Sequence, residues 1–416
     1  MRRRLRRGRN EPQVTTEQEE ARCPVEHYVF ADTGLPPLSS FTALDGFQER
    51  ARPFLRSDEA QGYWVFTDQE MILAGLQNPE LFSSRAIVPT EPEPPFRWIP
   101  IMLDPPAHTK WRRVLGSYFS PGRVELLEED QRRFARELIE GFRARGNCDF
   151  YSEFAQVFPT TIFLQIMGLP LDQLGLFLAW EDKIIHGTQE TDPDRSITRG
   201  AMMEVMGYFQ GLITEKRENP QARGDDLVSH ALEWKVDGQP ATDQDVLSCM
   251  LLLFLAGLDT VTAQLSYFFL HLATHDDDRR QIAAEPDLVP RALEEMLRAY
   301  PIVQVARRAT QDTEFRGCPV KAGDMVAFPL GMAGRDDAVY PDAKRVDFAR
   351  ENSRHITFGA GPHRCLGSHL ARQELTVVLQ EWHKLIPEYA VAEPGQIAEH
   401  SGGVFSLESL PLTWEA

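Results

Sequence analysis

The segment from Thr242 to about Ala273 constrains this chain more than any other. Thr-Asp-Gln-Asp at 242–245 supplies an N-cap and an acidic first turn, and a helical pattern runs on from there. At about 1.5 Å per residue such a helix is roughly 45 Å long, enough to cross a whole molecule. Its centre, Met250 to Leu255, is apolar on every side, so other elements have to wrap it. The apolar stretch Cys249 to Leu258 ends at Asp259, is too short to span a bilayer, and reads as a core helix with no transmembrane segment elsewhere.

The surroundings fit that demand. Between Asp130 and Arg145, Phe134, Leu138, Ile139 and Phe142 recur at helical spacing among charged residues, so this helix lays one face on a core. Short β-like runs from Glu314 to Phe328, punctuated by Gly317, Pro319 and Gly323, predict a small hairpin. The fold class is therefore mainly α with a small β region. The absence of repeats and of Gly/Ser linkers after about residue 25 predicts one domain over 26–416, preceded by a lead-in over 1–25. The basic run Met1 to Arg9 has no apolar segment behind it, so it reads as a disordered arm rather than a secretory signal. A net charge of -18 repels polyanions, which argues against nucleic acid or anionic membrane as partners. The five cysteines are scattered and odd in number, which suits a reducing, cytoplasmic setting without disulfides or structural zinc.

One cysteine stands apart. Phe358-Gly-Ala-Gly361-Pro-His363-Arg-Cys365-Leu-Gly367 surrounds it with glycines that permit close backbone approach, which a loop needs to press a thiolate against a flat cofactor. The helical pattern from Ser368 to Trp382 puts Cys365 just before a helix N-terminus, where the thiolate is favoured. A thiolate axial ligand pushes electron density onto a heme iron and favours O–O cleavage.

The pattern Phe-Gly-x-Gly-x-His-x-Cys-x-Gly resembles the heme-binding loop of the cytochrome P-450 superfamily, and the resemblance covers nearly the whole chain. Within the superfamily the chain is most similar to the soluble bacterial camphor-hydroxylase type. The resemblance implies a triangular-prism fold with a long central helix over heme b (iron protoporphyrin IX), Cys365 as iron ligand, Phe358 beside the sulfur, and amides near Leu366 and Gly367 donating to it. Glu295-Met-Leu-Arg298 resembles the Glu-x-x-Arg signature, with Arg350 as the later arginine of a buried network. Taken alone, Glu295 and Arg298 would be an ordinary surface pair. His108 and Arg112 resemble the His-x-x-x-Arg helix pair, and with Arg307 and His363 they are implied to hold the heme propionates.

Ala256-Gly257-Leu-Asp259-Thr260 breaks the apolar helix with a glycine, an acid and a hydroxyl, and such rule-breaking inside a core points to function. The resemblance implies that Ala256 and Gly257, like Gly361 and Gly367 of the cysteine loop, contact the heme, that Gly257 leaves room for oxygen over the iron, that Thr260 hydrogen-bonds the activated oxygen and that Asp259 relays protons. The implied substrate-facing residues are Ile87, Phe96, Trp98, Leu252, Leu255, Val303, Val305 and Val404, nearly all apolar; Trp98 alternatively packs outward. Phe96 stands where camphor hydroxylase has the tyrosine that orients its ketone, and it has no donor, so a different small terpenoid or aromatic substrate is expected. Gln304 or the lid-like region Asp182 to Arg195 would supply any polar anchor, and His186 is placed to contact Asp259.

The implied activity is that of an oxidoreductase: hydroxylation of a small apolar substrate with O2 and two electrons. No dinucleotide motif or cluster-binding cysteine set is visible, so a ferredoxin-type iron–sulfur protein and its NAD(P)H-dependent reductase are expected to deliver the electrons to a monomeric enzyme. Lys110, Arg113, Lys344 and Arg364 are the expected docking cations. Oxidative coupling, dealkylation or peroxide-driven oxidation on the same scaffold stays open, as does a non-catalytic heme protein that binds a ligand or senses a gas.

Overall fold

Thr242 caps the long helix as its sequence dictates: Thr242 Oγ1 accepts from the Asp245 amide at 3.1 Å, and the Asp245 carboxylate accepts from the Thr242 amide at 3.0 Å. In the computed structural model, which describes residues 24–185, 192 and 194–416, this helix runs without a break from Asp243 to Thr274. The basic run over 1–9 and His186 lie outside the described residues.

In chain order the principal helices are α1 (Ser39–Arg50), α2 (Gln69–Leu76), α3 (Ala107–Gly116), α4 (Glu128–Arg143), α5 (Val157–Met167), α6 (Leu174–Ile185), α7 (Ser196–Glu218), α8 (Asp243–Thr274), α9 (Val289–Ala299) and α10 (Ser368–Leu385). The strands that matter for the site are β1 (Val25–Glu26), β2 (Phe54–Ser57), β3 (Tyr63–Phe66), β4 (Phe82–Ser83), β5 (Gln304–Ala309), β6 (Thr313–Phe315), β7 (Cys318–Val320) and β8 (Met325–Pro329). Six of them form one sheet in the order β1-β2-β3-β8-β5-β4. Its β5–β8 pair is antiparallel, with Val305 opposite Phe328 and Arg307 opposite Val326.

The expected helix at 130–145 is α4, which packs along α10 and is fastened to it by Arg132 Nη1 donating to Glu381 at 2.7 Å. The expected hairpin is β6–β7, turning at Gly317. The next strand, β8, leaves that hairpin for the large sheet because every one of its residues is buried, which a two-stranded ribbon cannot provide. Val25 already pairs with Arg56, so the sheet takes in a residue assigned above to the lead-in.

Two apolar clusters make the core. One gathers α1, α4, α10, the large sheet and the second half of α8; the other gathers α5, α6, α7 and the first half of α8. The segment Ala256–Thr260 sits where they meet, with Leu258 in one cluster and Val261 in the other. Between Val246 and Ala273 burial lapses only at Leu253, Leu255, Ala256, Gly257 and Thr260. The apolar character of α8 extends beyond Cys249–Leu258: its mean hydropathy reaches 2.0 over 18 residues, a length and composition sufficient for a membrane span, but 67% of that window is buried inside the protein. Packing on both clusters accounts for its apolarity.

Candidate functional site

The cysteine loop is shaped by its neighbours. The Cys365 amide donates to the Phe358 carbonyl at 2.8 Å, closing the loop so that the thiol stands at its tip. Gly361 has φ +67°, and a Cβ there would come within 2.3 Å of the Leu76 carbonyl oxygen at the end of α2; no other residue fits. Cys365 is open to the space above the loop although protein surrounds it, as at the floor of a concavity. Burial pushes its thiol up, against the opposing pull of the Gly367 amide and of Arg112, Arg364 and Arg372. Desolvation thus opposes the thiolate that the helix N-terminus and the arginines favour, and a bound metal would supply the rest of its stabilisation.

Two features behind the loop hold it. Glu295 and Arg298 on α9 are fully buried and joined by bonds of 2.8 and 2.9 Å. Arg298 donates to the carbonyls of Gly334, Ala343 and Arg345, and Arg350 Nε donates to Glu295 at 3.0 Å, completing the expected network. A Cβ at Gly334 would meet the Arg298 carbonyl oxygen at 2.3 Å. Thr357 Oγ1 donates to the Leu297 carbonyl at 2.7 Å and so ties α9 directly to the loop. The second feature was not foreseen: Arg372 on α10 lies 4.4 Å over the Phe358 ring and bonds to Glu294, which also accepts from His355 at 3.1 Å. A lone Glu294 beside Glu295 gave no signal of its own, since adjacent helical positions face different ways.

A cationic rim borders the loop. His108 and Arg112 lie on α3, His363 in the loop and Arg307 on β5. The two imidazoles are in contact, tilted by 33° with centroids 3.8 Å apart. Burial first, and then nearby arginines, push His108 down to about 4 and His363 to about 2, so both rings are neutral at neutral pH. Burial also pushes Arg307 down to about 10; its guanidinium donates to the Ala306 carbonyl, while Arg112 donates to the Arg364 carbonyl at 2.7 Å. Among the described residues no carboxylate pairs with either arginine, and His108 Nδ1 and His363 Nε2 are buried without partners. Buried cations and orphaned ring nitrogens gathered at one rim are costly unless an anion completes them. A flat apolar cofactor with two carboxylates and an iron to meet Cys365 fits this donor set.

The acid and hydroxyl expected to serve oxygen chemistry lie on α8. Thr260 Oγ1 donates to the Ala256 carbonyl at 3.0 Å. Asp259 is buried, its Oδ1 has no partner, and burial pushes it up to about 7. Gly257 is half-buried on this stretch, and a Cβ there would come to ordinary contact, 3.4 Å, with the Phe163 ring of α5.

The residues expected to face substrate fall in different settings. Alternation along β5 puts Val303, Val305 and Arg307 on one face, and Val303 bridges to Val404. Leu252 is buried; Leu255 and Ile87 are half-buried. Gln304 belongs to the opposite face, where Tyr28, the Phe30 carbonyl and the Gly402 carbonyl use its amide, so it cannot anchor a substrate. Phe96 is 50% exposed and stacked on Trp98 at 5.0 Å, a surface position rather than an enclosed wall, because the cluster of prolines around it leaves that loop outside the core. The Trp98 loop is pinned to α8 by Ser248, whose Oγ accepts from the Ile99 amide at 3.0 Å and donates to the Arg97 carbonyl at 3.1 Å. Of the expected docking cations, Lys110 is paired with Asp237 and Lys344 with Glu49, leaving Arg113 and Arg364 exposed.

Comparison with known proteins agrees with this geometry. The family model described as Cytochrome P450 matches residues 191–382. The chain is 33% identical over 361 residues to the probable cytochrome P450 127A1 of Sinorhizobium fredii, covering 86% of this chain and 84% of that one. It is 30% identical over 365 residues to a steroid C26-monooxygenase of Mycobacterium tuberculosis, covering 86% of this chain and 96% of the relative. The crystal structure of CYP101J2 superposes with a TM-score of 0.85 at 31% identity, covering 95% of this chain and 99% of that one. With its cysteine loop, buried Glu-x-x-Arg network and cationic rim, the chain belongs to the cytochrome P450 family and is a heme-dependent monooxygenase.

Proposed function

We propose that this cytochrome P450 hydroxylates a compact, largely apolar molecule, taking its electrons from a small acidic ferredoxin-type protein served by an NAD(P)H-dependent reductase. The observation that carries the substrate class is the continuous face of β5, on which Val303 and Val305 lead straight to Arg307 at the rim. A ligand against that face gains about 25 cal/mol per Å² of apolar surface buried and finds no hydrogen-bonding anchor in Gln304. The relative named for steroid oxidation acts on a similarly apolar class, so steroids join terpenoids and aromatics as candidates.

Bound heme supplies the activation of O2 for insertion into a carbon–hydrogen bond. The chain's own residues do the rest. Cys365 holds the iron, and the Gly367 amide and nearby guanidinium groups stabilise negative charge on its sulfur. His108, Arg112, Arg307 and His363 hold the carboxylates. With its proton committed to the Ala256 carbonyl, Thr260 Oγ1 presents lone pairs and acts as acceptor for a protonated oxygen. Asp259, protonated near neutral pH, holds a proton one residue away. Arg113 and Arg364 form the narrowed docking surface for the electron donor, in a cytoplasmic protein.

The test is a panel of terpenoids, aromatics and steroids, scored by the low-spin to high-spin shift of the heme absorption band. Apolar members should shift it and polar analogues of equal size should not. A panel in which polar or charged members shift the band while apolar ones do not would refute the substrate class.

A further inference from the structure

Asp259 does not stand alone in its apolar surroundings. Glu181 on α6 is 2% exposed and belongs with Ile184, Ile185, Phe254, Leu255 and Leu258 to a small apolar cleft where α6 crosses α8. One of its oxygens, Oε1, has no partner; the other is 3.5 Å from Thr160 Oγ1, a hydroxyl already committed to the Gln156 carbonyl at 2.6 Å. Asp259 Oδ1 is likewise unpartnered. These are two buried carboxyls from two helices, each with an orphaned oxygen.

Among the described residues, the titratable groups that interact with them are acidic or neutral. Tyr151 in the turn before α5 senses Asp259, Glu181 and Asp182, and Thr160 faces from α5. Tyr267, two turns along α8, senses Asp259 and Glu399. Among the described residues no lysine or arginine pairs with either carboxyl. Two carboxylates in such a place would each cost several kcal/mol of desolvation and would also repel. Burial raises both groups, and the Asp259 charge raises Glu181 further. Sharing protons is the inexpensive arrangement, as in other carboxyl pairs confined together.

We propose that Glu181 and Asp259 form a proton-sharing acid pair across the α6–α8 contact, with Glu181 the positioning residue that keeps Asp259 supplied. Asp259 releases a proton toward Thr260 and takes one from Glu181, which recovers its own from water, so one proton enters for each that leaves. The inference rests on the reading of Asp259 as the proton holder. It explains why α6, a helix that otherwise covers the substrate side, buries an acid at a position where apolar packing would cost less.

The holoenzyme tests it by isotope-edited infrared spectroscopy of labelled Asp and Glu carboxyls. At neutral pH a protonated-carboxyl band should be present, Glu181→Gln should remove its glutamate component, and Asp259→Asn should move the Glu181 midpoint to lower pH. With the best spin-shifting ligand, Glu181→Gln should raise the share of reducing equivalents lost as hydrogen peroxide several-fold and enlarge the solvent deuterium isotope effect. Glu181→Met, which keeps volume in an apolar cleft, should do the same and guards against a folding defect in the glutamine variant. A Glu181 midpoint unmoved by Asp259→Asn, or normal coupling in both Glu181 variants while Asp259→Asn uncouples, overturns the pair and leaves Asp259 in its role. Normal coupling in Asp259→Asn overturns the underlying reading and the pair with it. A proton signal that responds to His186→Gln but not to Glu181→Gln assigns the partner elsewhere and also overturns the pair.

Discussion

Arg307 shows how a single side chain reports a missing partner. A guanidinium pushed down to about 10 by burial, with one backbone carbonyl as its acceptor, is destabilising until a carboxylate joins it. Arg307→Met should therefore leave the heme-free protein at least as stable in thermal unfolding, yet weaken heme retention by about 10–100-fold in a transfer assay to apomyoglobin. Arg298 is the opposite case. Its charge is fully paired with Glu295 and three carbonyls, so Arg298→Met leaves Glu295 facing a lost partner and should cost about 3–5 kcal/mol in denaturant unfolding, with no heme bound. Two buried arginines thus predict opposite signs, and their partners distinguish them.

Among elements, the cysteine loop and α8 were the most legible in the sequence, because their chemistry needs special residues at fixed spacing. Gly361 is demanded by the end of α2, and Gly361→Ala, with a positive φ and a clash at 2.3 Å, should abolish heme loading while the helices persist by circular dichroism. The strand β5 was half legible. Alternation makes Val303, Val305 and Arg307 share a face, but which face meets the site is settled by the partners of Gln304, which lie far along the chain. Val305→Phe overpacks that face and should weaken the best spin-shifting ligand by about 1–3 kcal/mol in titration, leaving the empty enzyme's spectrum unchanged. Glu181 was illegible: an acid beside Asp182 and Lys183 on a helix has the pattern of a solvated turn, and only the packing of α6 on α8 buries it.

For the whole molecule, the buried acid on α8 couples stability to pH. Asp259 is raised from 3.8 to about 7, so the folded protein binds more protons than the unfolded chain between those values. Its contribution is intact below about pH 4 and is lost as pH rises through about 7, by up to roughly 4 kcal/mol. Unfolding of Asp259→Asn should accordingly lose that slope and gain on the wild type as pH rises. At the surface, Arg113 and Arg364 are exposed on a chain of net charge -18, and in the proposed docking reading Arg364→Glu should slow electron transfer from an acidic donor and flatten its dependence on ionic strength. In the proposed reading, the core and the rim together place Cys365 on the heme iron. The most direct test of that claim is the spectrum of the reduced heme protein under carbon monoxide, wild type against Cys365→His. A strongly red-shifted band in the wild type, lost in the variant while heme is retained, is predicted; its absence from the wild type, or its persistence in the variant, would contradict the thiolate assignment.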